Sequence, residues 1–294
     1  MPELPEVETI RRSLQRALVG KTIKNIEVRK VKIFQGYPKD VIGKTIEEIK
    51  RRGKILVISL SGGKTLLVHF KLTGQMVWVP EAGERVTVGH PIPFAGSELP
   101  AKTTHAIFEI DGGRLFYNDL RQFGWIKVVE SSKLKVQSEI AKLGPEPFDF
   151  AQGKPLANKD FTVDYLQKIF SKTSKPIKLV LMDQEKIAGV GNIYANDALF
   201  EAGIIPTRPA NKLSKEETGN LREAIIKVLE EGLKYGGSSA ADEAYVRPDG
   251  TPGSYQEHFR VYQRDGQKCL RCGGVIKRIS LGGRGTFYCP SCQK

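Results

Sequence analysis

Four cysteines are spaced as ligands of a metal ion. Cys269 and Cys272 form one Cys-x2-Cys pair, Cys289 and Cys292 form a second, and 16 residues separate the pairs. In zinc ribbons, two such pairs supply four thiolates to one tetrahedral Zn²⁺. Two disulfides or a redox dithiol pair are the alternatives, although intracellular thiols are ordinarily kept reduced. Four thiolates leave no open coordination position, so we predict one structural Zn²⁺ per chain and no organic cofactor.

The segment between the two cysteine pairs is basic. It contains Lys277, Arg278 and Arg284, the last within Gly282-Gly283-Arg284-Gly285, a sequence typical of a hairpin tip. A guanidinium displayed there could bind a phosphate, or it could be an ordinary solvated arginine.

The N-terminus offers a nucleophile. Met1 precedes a small residue, so we expect its removal and a free secondary amine on Pro2, with a pKa nearer neutrality than that of a lysine. When such an amine condenses with an aldehyde carbon, it forms an iminium that carries a positive charge without having to be protonated. This permanent charge accepts electrons and so favours elimination. Glu3 could transfer protons beside it, and Glu6 would lie in the first helical turn. Glutamates at a helix start are also ordinary capping residues.

The charge balance points to a polyanionic partner. Lys and Arg number 46 against 33 Asp and Glu, giving a net charge of +13. Nucleic acid is the first hypothesis, and a merely solvated basic surface is the alternative. No apolar run approaches the roughly 20 residues that span a bilayer, so no membrane partner is expected. The acidic N-terminus is unlike a signal peptide, which predicts a cytoplasmic protein, and the charge favours a monomer.

The elements that would hold these groups change along the chain. A first helix is predicted to begin at Pro5, with Val7, Ile10, Leu14 and Leu18 on one face. Short β-rich runs separated by glycine turns then indicate a β-sandwich over 21–130. We interpret 80–102, rich in proline and glycine, as a long loop without periodicity.

The second half is predicted to be helical. Ser214 and Glu217 form a capping box ahead of an apolar stripe in the last helix. Residues 236–257 are interpreted as a mobile lid or lesion-sensing loop, with a plain linker as the alternative. The predicted helices are 162–171, 176–186, 192–202 and 215–235. The predicted domains are 1–145, 146–257 and 258–294.

Several motifs in order resemble the formamidopyrimidine-DNA glycosylase family, whose members remove oxidised purines and cleave abasic sites. The likeness begins at Pro2-Glu3-Leu4-Pro5-Glu6 and covers nearly the whole chain. The further motifs are Arg51-Arg52-Gly53-Lys54, Leu143-Gly144-Pro145-Glu146-Pro147, Leu181-Met182-Asp183-Gln184, Gly189-Val190-Gly191-Asn192 and Arg284-Gly285-Thr286-Phe287-Tyr288-Cys289.

The resemblance implies an α+β multidomain protein: an N-terminal β-sandwich with a leading helix, a helix-two-turns-helix domain and a C-terminal zinc ribbon, gripping damaged double-stranded DNA. It implies that Pro2 attacks C1′ and forms a Schiff base. Glu3 is similar to the acid that assists sugar-ring opening, Lys54 to the proton donor for β-elimination, and Arg284 to the arginine of δ-elimination. Without the resemblance, Lys54 is simply part of a basic strand edge, whose cationic neighbours could lower its pKa.

The resemblance also implies DNA contacts. Leu72, Arg121 and Phe123 correspond to the side chains that fill the space left by an extruded base, with Leu72 replacing the usual methionine. His105 matches one of two family histidines and could equally be a core residue. Lys178 and Asn192 are expected near a phosphate, where a tight helix–helix turn is the alternative.

Two other functions stay open. Endonuclease VIII shares the N-terminal proline but prefers oxidised pyrimidines, and Leu4 stands where that branch commonly has glycine. A non-catalytic binder of damaged DNA would need only the positive charge and the zinc ribbon.

Overall fold

The computed structural model of the chain describes residues 1–94, 96–151, 154–239 and 253–294. These residues form two compact units, one of Met1–Ala141 with Tyr235–Gln256 and one of Lys142–Lys234 with Glu257–Lys294. No helix in the described ranges is long and apolar enough to cross a membrane. The division into three domains stays a prediction, because the two units describe packing rather than independent folding.

The first unit consists of a leading helix, ten strands and one short helix. Helix α1 is Leu4–Leu18 and helix α2 is Ser138–Ala141. The strands are β1 (Ile23–Val28), β2 (Phe34–Gln35), β3 (Ile46–Arg52), β4 (Ile55–Leu60), β5 (Lys64–His69), β6 (Gly74–Pro80), β7 (Val86–Gly89), β8 (Thr104–Ile110), β9 (Gly113–Asp119) and β10 (Trp125–Glu130).

These strands make the predicted β-sandwich. One five-stranded sheet has the order β1-β8-β9-β6-β7 and the other has the order β2-β10-β5-β4-β3. Side chains of both sheets, such as Phe108 from the first and Leu56 from the second, share one buried apolar cluster. Burial of this cluster is the main driving force for folding of the unit.

Helix α1 joins the same core through its apolar stripe. Val7, Ile10, Leu14 and Leu18 are all fully buried, as the helical spacing predicts. The helix packs against β3 and β7. Its first turn, and the residues just before it, are thereby fixed relative to the sandwich.

The prediction of an unstructured loop over 80–102 is wrong in part. Val86–Gly89 forms β7, which pairs with β6 at the edge of the first sheet, in the register Gln75↔Gly89 and Met76↔Val88. Val88 is buried, and the β-branched run Val86-Thr87-Val88 suits an edge strand. The surrounding prolines and glycines masked so short a strand in the sequence pattern.

The second unit combines helices with two hairpins. Its helices are α3 (Val163–Phe170), α4 (Ile177–Leu181), α5 (Asn192–Glu201) and α6 (Lys215–Lys234). Its strands are β11 (Phe148–Ala151), β12 (Lys154–Ala157), β13 (Lys277–Leu281) and β14 (Arg284–Tyr288). The helix predicted over 176–186 is shorter than expected, because Asp183 turns the chain by accepting the N–H of Glu185 on its side chain.

The predicted capping box of α6 is confirmed. Ser214 Oγ accepts the N–H of Glu217 at 3.1 Å, and Glu217 Oε2 accepts the N–H of Ser214 at 2.8 Å. Both bonds satisfy amides that the helix itself leaves unpaired. This end of α6 is therefore determined by four consecutive residues.

Two glycines of α6 form a matched pair for a stability test. A Cβ on Gly219 would meet only Val163 at 4.0 Å, whereas a Cβ on Gly232 would lie 2.4 Å from the Tyr194 hydroxyl. Gly219→Ala should raise the free energy of unfolding by about 1 kcal/mol through helix propensity. Gly232→Ala should lower it by about 1–3 kcal/mol, because the helix must shift away from α5. Denaturant titration of both variants measures this, and stabilisation by both would contradict the packing of α5 on α6.

Glu8, a buried carboxylate of α1 that pairs with arginines, should contribute to the acid sensitivity of the fold. Burial favours the neutral form of Glu8, but hydrogen bonds from Arg11 and Arg12 and the charges of Arg51 and Arg11 outweigh it, so its pKa lies below the usual 4.5. A lowered folded-state pKa stabilises the fold above pH 4.5, and this stabilisation is lost as the pH falls through the folded value.

Glu8→Gln should therefore cost about 1–3 kcal/mol at pH 7, and the difference from wild type should shrink below pH 4.5. The measurement is urea unfolding between pH 7 and pH 3. The control is Glu130→Gln, which removes the solvent-exposed pair with Lys64 and should change the curve little. A difference for Glu8→Gln that is constant with pH would contradict the paired carboxylate.

Candidate reaction centre and nucleic-acid interface

The N-terminal residues are held by a buried capping box. Pro2 and Glu3 are both buried, and Glu3 is the N-cap of α1. Glu6 Oε2 accepts the N–H of Glu3 at 2.8 Å, while the Glu3 side chain accepts from the backbone of Glu6. Both glutamates therefore cap the helix, as their position predicts, and they also fix the backbone next to Pro2.

The second oxygen of Glu6 reaches a distant segment of the same unit. Its Oε1 accepts the N–H of Ser238 at 2.9 Å. Gly237 has φ +84, and a Cβ there would lie 2.8 Å from Glu6 Cγ. Only glycine allows this close approach without strain. One carboxylate thus ties the N-terminus to the segment that follows α6.

The turn that carries Lys54 is fixed by the same helix. Arg51 Nε contacts Glu8 Oε2 at 3.5 Å, and Arg51 Nη1 donates to the carbonyl of Gly53 at 2.8 Å. Gly53 has φ +57, which makes the tight turn into β4. Lys54 itself is only 4 % exposed.

His69, at the end of β5, is a residue that the sequence analysis missed. Burial, and then the charges of Lys71, Lys54 and the amino terminus, lower the pKa of His69 well below its usual 6.5. Its Nδ1 accepts the N–H of Lys71 at 3.0 Å. A neutral imidazole therefore lies among the cationic groups of the N-terminal region. Only the position of His69 two residues before Lys71 could have marked it, since the pattern is otherwise that of a strand.

The three residues predicted to fill the space of an extruded base come to one end of the first sheet. Leu72 lies in the turn before β6, and Arg121 and Phe123 lie in the turn after β9. The pairing Gly74↔Asp119 places these two turns side by side. Phe123 is 50 % exposed, and the Arg121 guanidinium lies 5.0 Å from its ring centroid. An exposed aromatic with a cation stacked on it suits contact with nucleotides.

His105 is placed as a core residue. It is buried, and its Nε2 lies 2.8 Å from the carbonyl oxygen of Asp119. This bond joins β8 to the end of β9. The geometry favours the core-histidine interpretation over direct DNA contact, and the DNA contact stays a prediction.

Lys178 and Asn192 lie in the second unit. Lys178, on α4, is fully buried, and its Nζ donates to the carbonyl of Gly285 at 2.9 Å and to Thr286 Oγ1 at 2.7 Å. Its ammonium therefore anchors β14 rather than facing solvent. Asn192 is the first residue of α5 and follows Gly191, the N-cap of that helix. Phosphate binding by either residue stays a prediction.

The four cysteines fit one zinc ion. All four Sγ atoms lie within 4.8 Å of one another, with Cys269 and Cys292 at 3.9 Å and Cys272 and Cys289 at 3.5 Å. A tetrahedron with Zn–S bonds of about 2.3 Å requires sulfur separations of about 3.8 Å. The Gly274 N–H points at Cys272 Sγ and, as the largest effect, lowers the pKa of that thiol to about 7. The donor set is that of a closed, structural site.

The zinc ribbon displays Arg284 as the sequence predicts. Gly282 and Gly283, both with positive φ, form the hairpin tip between β13 and β14. Arg284 follows as the first residue of β14 and is exposed. The predicted lid over 236–257 lies largely outside the described residues, and of it only residues 236–239 and 253–257 are placed.

Three family models cover most of the chain. The formamidopyrimidine-DNA glycosylase N-terminal domain matches residues 1–126, the formamidopyrimidine-DNA glycosylase H2TH domain matches 143–244, and a zinc finger found in FPG and IleRS matches 266–294.

Individual proteins match over the full length. Formamidopyrimidine-DNA glycosylase of Carboxydothermus hydrogenoformans is 40 % identical over 299 residues, covering 100 % of both chains. The Streptococcus pneumoniae serotype 4 enzyme is 36 % identical, covering 100 % of this chain and 99 % of its own.

Solved structures agree. Lactococcus lactis Fpg in complex with DNA containing an abasic site has a TM-score of 0.85 at 32 % identity, covering 99 % of each chain. MutM (Fpg) from Thermus thermophilus has a TM-score of 0.85 at 34 % identity, covering 99 % of this chain and 98 % of its own. With a sandwich that buries its N-terminal proline and four cysteines set for zinc, the chain belongs to the formamidopyrimidine-DNA glycosylase family.

Proposed function

We propose that this chain is a bifunctional DNA glycosylase and abasic-site lyase of base excision repair that removes 8-oxoguanine and formamidopyrimidines from double-stranded DNA. The observation that carries the proposal is the N-terminal arrangement: Pro2 immediately precedes a buried capping box, and Glu3 belongs to that box. The named substrates of the relatives and the DNA in the matching structures support the same activity.

The proposed reaction begins at the amine of Pro2. Its lone pair attacks C1′ of the damaged nucleotide, the bond from C1′ to the base breaks, and the base leaves with the electron pair. Glu3 assists opening of the sugar ring by proton transfer, which gives an iminium between Pro2 and C1′. This cation accepts the electrons released when the C2′ proton is removed.

Strand cleavage then follows by two eliminations. Lys54 donates the proton for β-elimination, which breaks the bond from C3′ to its phosphate oxygen. Arg284 assists δ-elimination, in which the C4′ proton leaves and the bond from C5′ to its phosphate oxygen breaks, leaving a one-nucleotide gap. The link from Glu8 through Arg51 to Gly53 supports the role of Lys54, because it holds the lysine turn and the N-terminal helix in one fixed arrangement.

Base extrusion is assigned to the end of the first sheet. The vacancy that the extruded base leaves in the DNA helix would be filled by Leu72, Arg121 and Phe123. Filling it offsets the few kcal/mol that unstacking the base costs. Lys178 and Asn192 would support phosphate binding from the second unit, Lys178 by anchoring the ribbon hairpin. The proposed DNA substrate places the enzyme in the cytoplasm, with the chromosome.

Borohydride trapping tests this function. The wild-type protein, freed of Met1, should give a covalent adduct and a cleaved strand with duplexes containing 8-oxoguanine opposite cytosine. A variant that retains Met1 should lose both, because its Pro2 nitrogen is an amide with no nucleophilic lone pair. Gel analysis of adduct and cleaved strand measures each outcome.

A duplex containing thymine glycol provides the comparison in that experiment. Preferential trapping on thymine glycol would assign the chain to oxidised pyrimidines. DNA binding without any adduct would leave only a damaged-DNA binder and contradict the proposal.

Zinc removal tests the structural role of the metal. A chelator should release one Zn²⁺ per chain, increase hydrogen exchange over 277–288 and weaken DNA binding, since the thiolate pairs hold the chain on both sides of the hairpin that carries Arg284. The pairing of Lys178 with β14 should be lost at the same time. Unchanged affinity after verified zinc loss would contradict this role.

A further inference from the structure

The carboxylate of Asp119 is bonded to both turns that carry the proposed void-filling residues. Asp119 ends β9 and is fully buried. Its Oδ1 accepts from Thr73 Oγ1 and from the N–H of Arg121 at 3.2 Å. Its Oδ2 accepts the N–H of Gly124 at 2.7 Å. Each oxygen thus holds the turn after β9, and one of them also holds the turn before β6.

Thr73 completes the link between the turns. Besides donating to Asp119, its Oγ1 accepts the N–H of Arg121 at 2.8 Å. Thr73 directly follows Leu72, and Arg121 lies two residues before Phe123. Leu72 and Phe123 are therefore each one residue from a bonded residue, and Arg121 is itself bonded through its backbone N–H.

The backbone of Asp119 ties in a third segment. Its N–H donates to the carbonyl of Thr103 at 2.9 Å, and its carbonyl oxygen lies 2.8 Å from His105 Nε2. The polar atoms of Asp119 thus contact three segments at the same end of the sheet. A side chain with fewer acceptors could not replace it.

Both turns have backbone conformations that need such support. Lys71 has φ 49 and Gln122 has φ 57, a region that non-glycine residues rarely adopt. Such conformations cluster at functional sites and persist where surrounding contacts hold them. Beneath the second turn there is no spare room, because a Cβ on Gly124 would lie 2.0 Å from the Tyr117 hydroxyl.

From these contacts we propose that Asp119 is a positioning residue that couples the Leu72 turn to the Arg121–Phe123 turn, so that both enter the DNA helix as one rigid unit. The inference rests on the proposed function. Asp119 does not touch the nucleotide in this scheme, and it acts only through the two turns. Its removal should therefore impair extrusion of a base more than the chemistry that follows.

Asp119→Asn is the informative variant. An amide offers one acceptor oxygen, so its NH₂ group must face either the N–H of Gly124 or the N–H of Arg121, and in both orientations a bond to the turn after β9 is replaced by two opposed donors. We expect single-turnover excision of 8-oxoguanine to fall about 10- to 100-fold, as for a displaced positioning group. Borohydride trapping on a preformed abasic site should change little, because no base has to be unstacked there.

A fluorescent 2-aminopurine beside the lesion gives a direct signal of unstacking. Its increase on binding should be smaller for Asp119→Asn than for wild type. Asp111→Asn is the matched control, because Asp111 lies at the opposite end of the same strand pair, where it is half-buried and pairs with Lys24. It should behave as wild type in all assays.

A double-mutant cycle with Leu72→Ala distinguishes coupling from general destabilisation. If Asp119 acts through the Leu72 turn, Asp119→Asn should cost much less in the Leu72→Ala background than in wild type. Should Asp119→Asn fold poorly, Thr73→Ala tests the same link, because it removes the hydroxyl that bonds Asp119. Thr73→Ala should reduce excision, whereas Thr73→Ser should excise like wild type because it keeps the hydroxyl.

Equal losses on 8-oxoguanine and on the abasic site, or effects that simply add in the cycle, would overturn the coupling role. An unchanged 2-aminopurine signal would do the same. Absence of any wild-type adduct on either duplex would instead overturn the proposed function, and with it this inference.

Discussion

The two oxygens of one buried carboxylate, Glu6, constrain the proposed reaction centre. One oxygen accepts the N–H of Glu3 and the other accepts the N–H of Ser238. Hydrogen bonds to a buried carboxylate are individually strong, and a carboxylate without hydrogen-bond donors is costly to bury. Pro2 therefore lies at a fixed position before α1, while the apolar stripe of that helix fixes it to the sandwich. A nucleophile of low mobility is the geometric condition for efficient attack on a bound sugar.

The same helix organises the groups around the amine. Glu8, two residues beyond Glu6, holds Arg51, and Arg51 holds the turn from which Lys54 emerges. Nearby, burial and then the charges of Lys71, Lys54 and the amino terminus lower the pKa of His69 and keep its imidazole neutral. In the second unit, the hairpin that carries Arg284 is anchored by the cysteine cluster and by Lys178. They fix the backbone near Arg284, as α1 fixes the turn that carries Lys54.

Local patterns were enough to predict the features encoded by neighbouring residues. The α1 stripe, the Ser214–Glu217 capping box and the cysteine pairs depend on spacings of a few residues, and the structure confirms them. Strand β7 was missed because three β-branched residues among prolines and glycines give too little periodic signal.

Long-range bonds could not be predicted from the residues. The bond from Ser238 to Glu6 joins positions 232 apart, and the one from Thr73 to Asp119 joins positions 46 apart. No local rule selects such partners. The bonds from Lys178 to Gly285 and Thr286 likewise join positions 107 and 108 apart, and only tertiary packing reveals them.

The most direct test of the central claim is to locate the covalent bond. Wild-type protein freed of Met1 should be reduced with borohydride on an abasic duplex, digested with protease and nuclease, and sequenced by tandem mass spectrometry. The N-terminal amine of Pro2 should carry the sugar remnant. A remnant on Lys54 or on any other lysine, with Pro2 unmodified, would contradict the assignment of Pro2 as nucleophile.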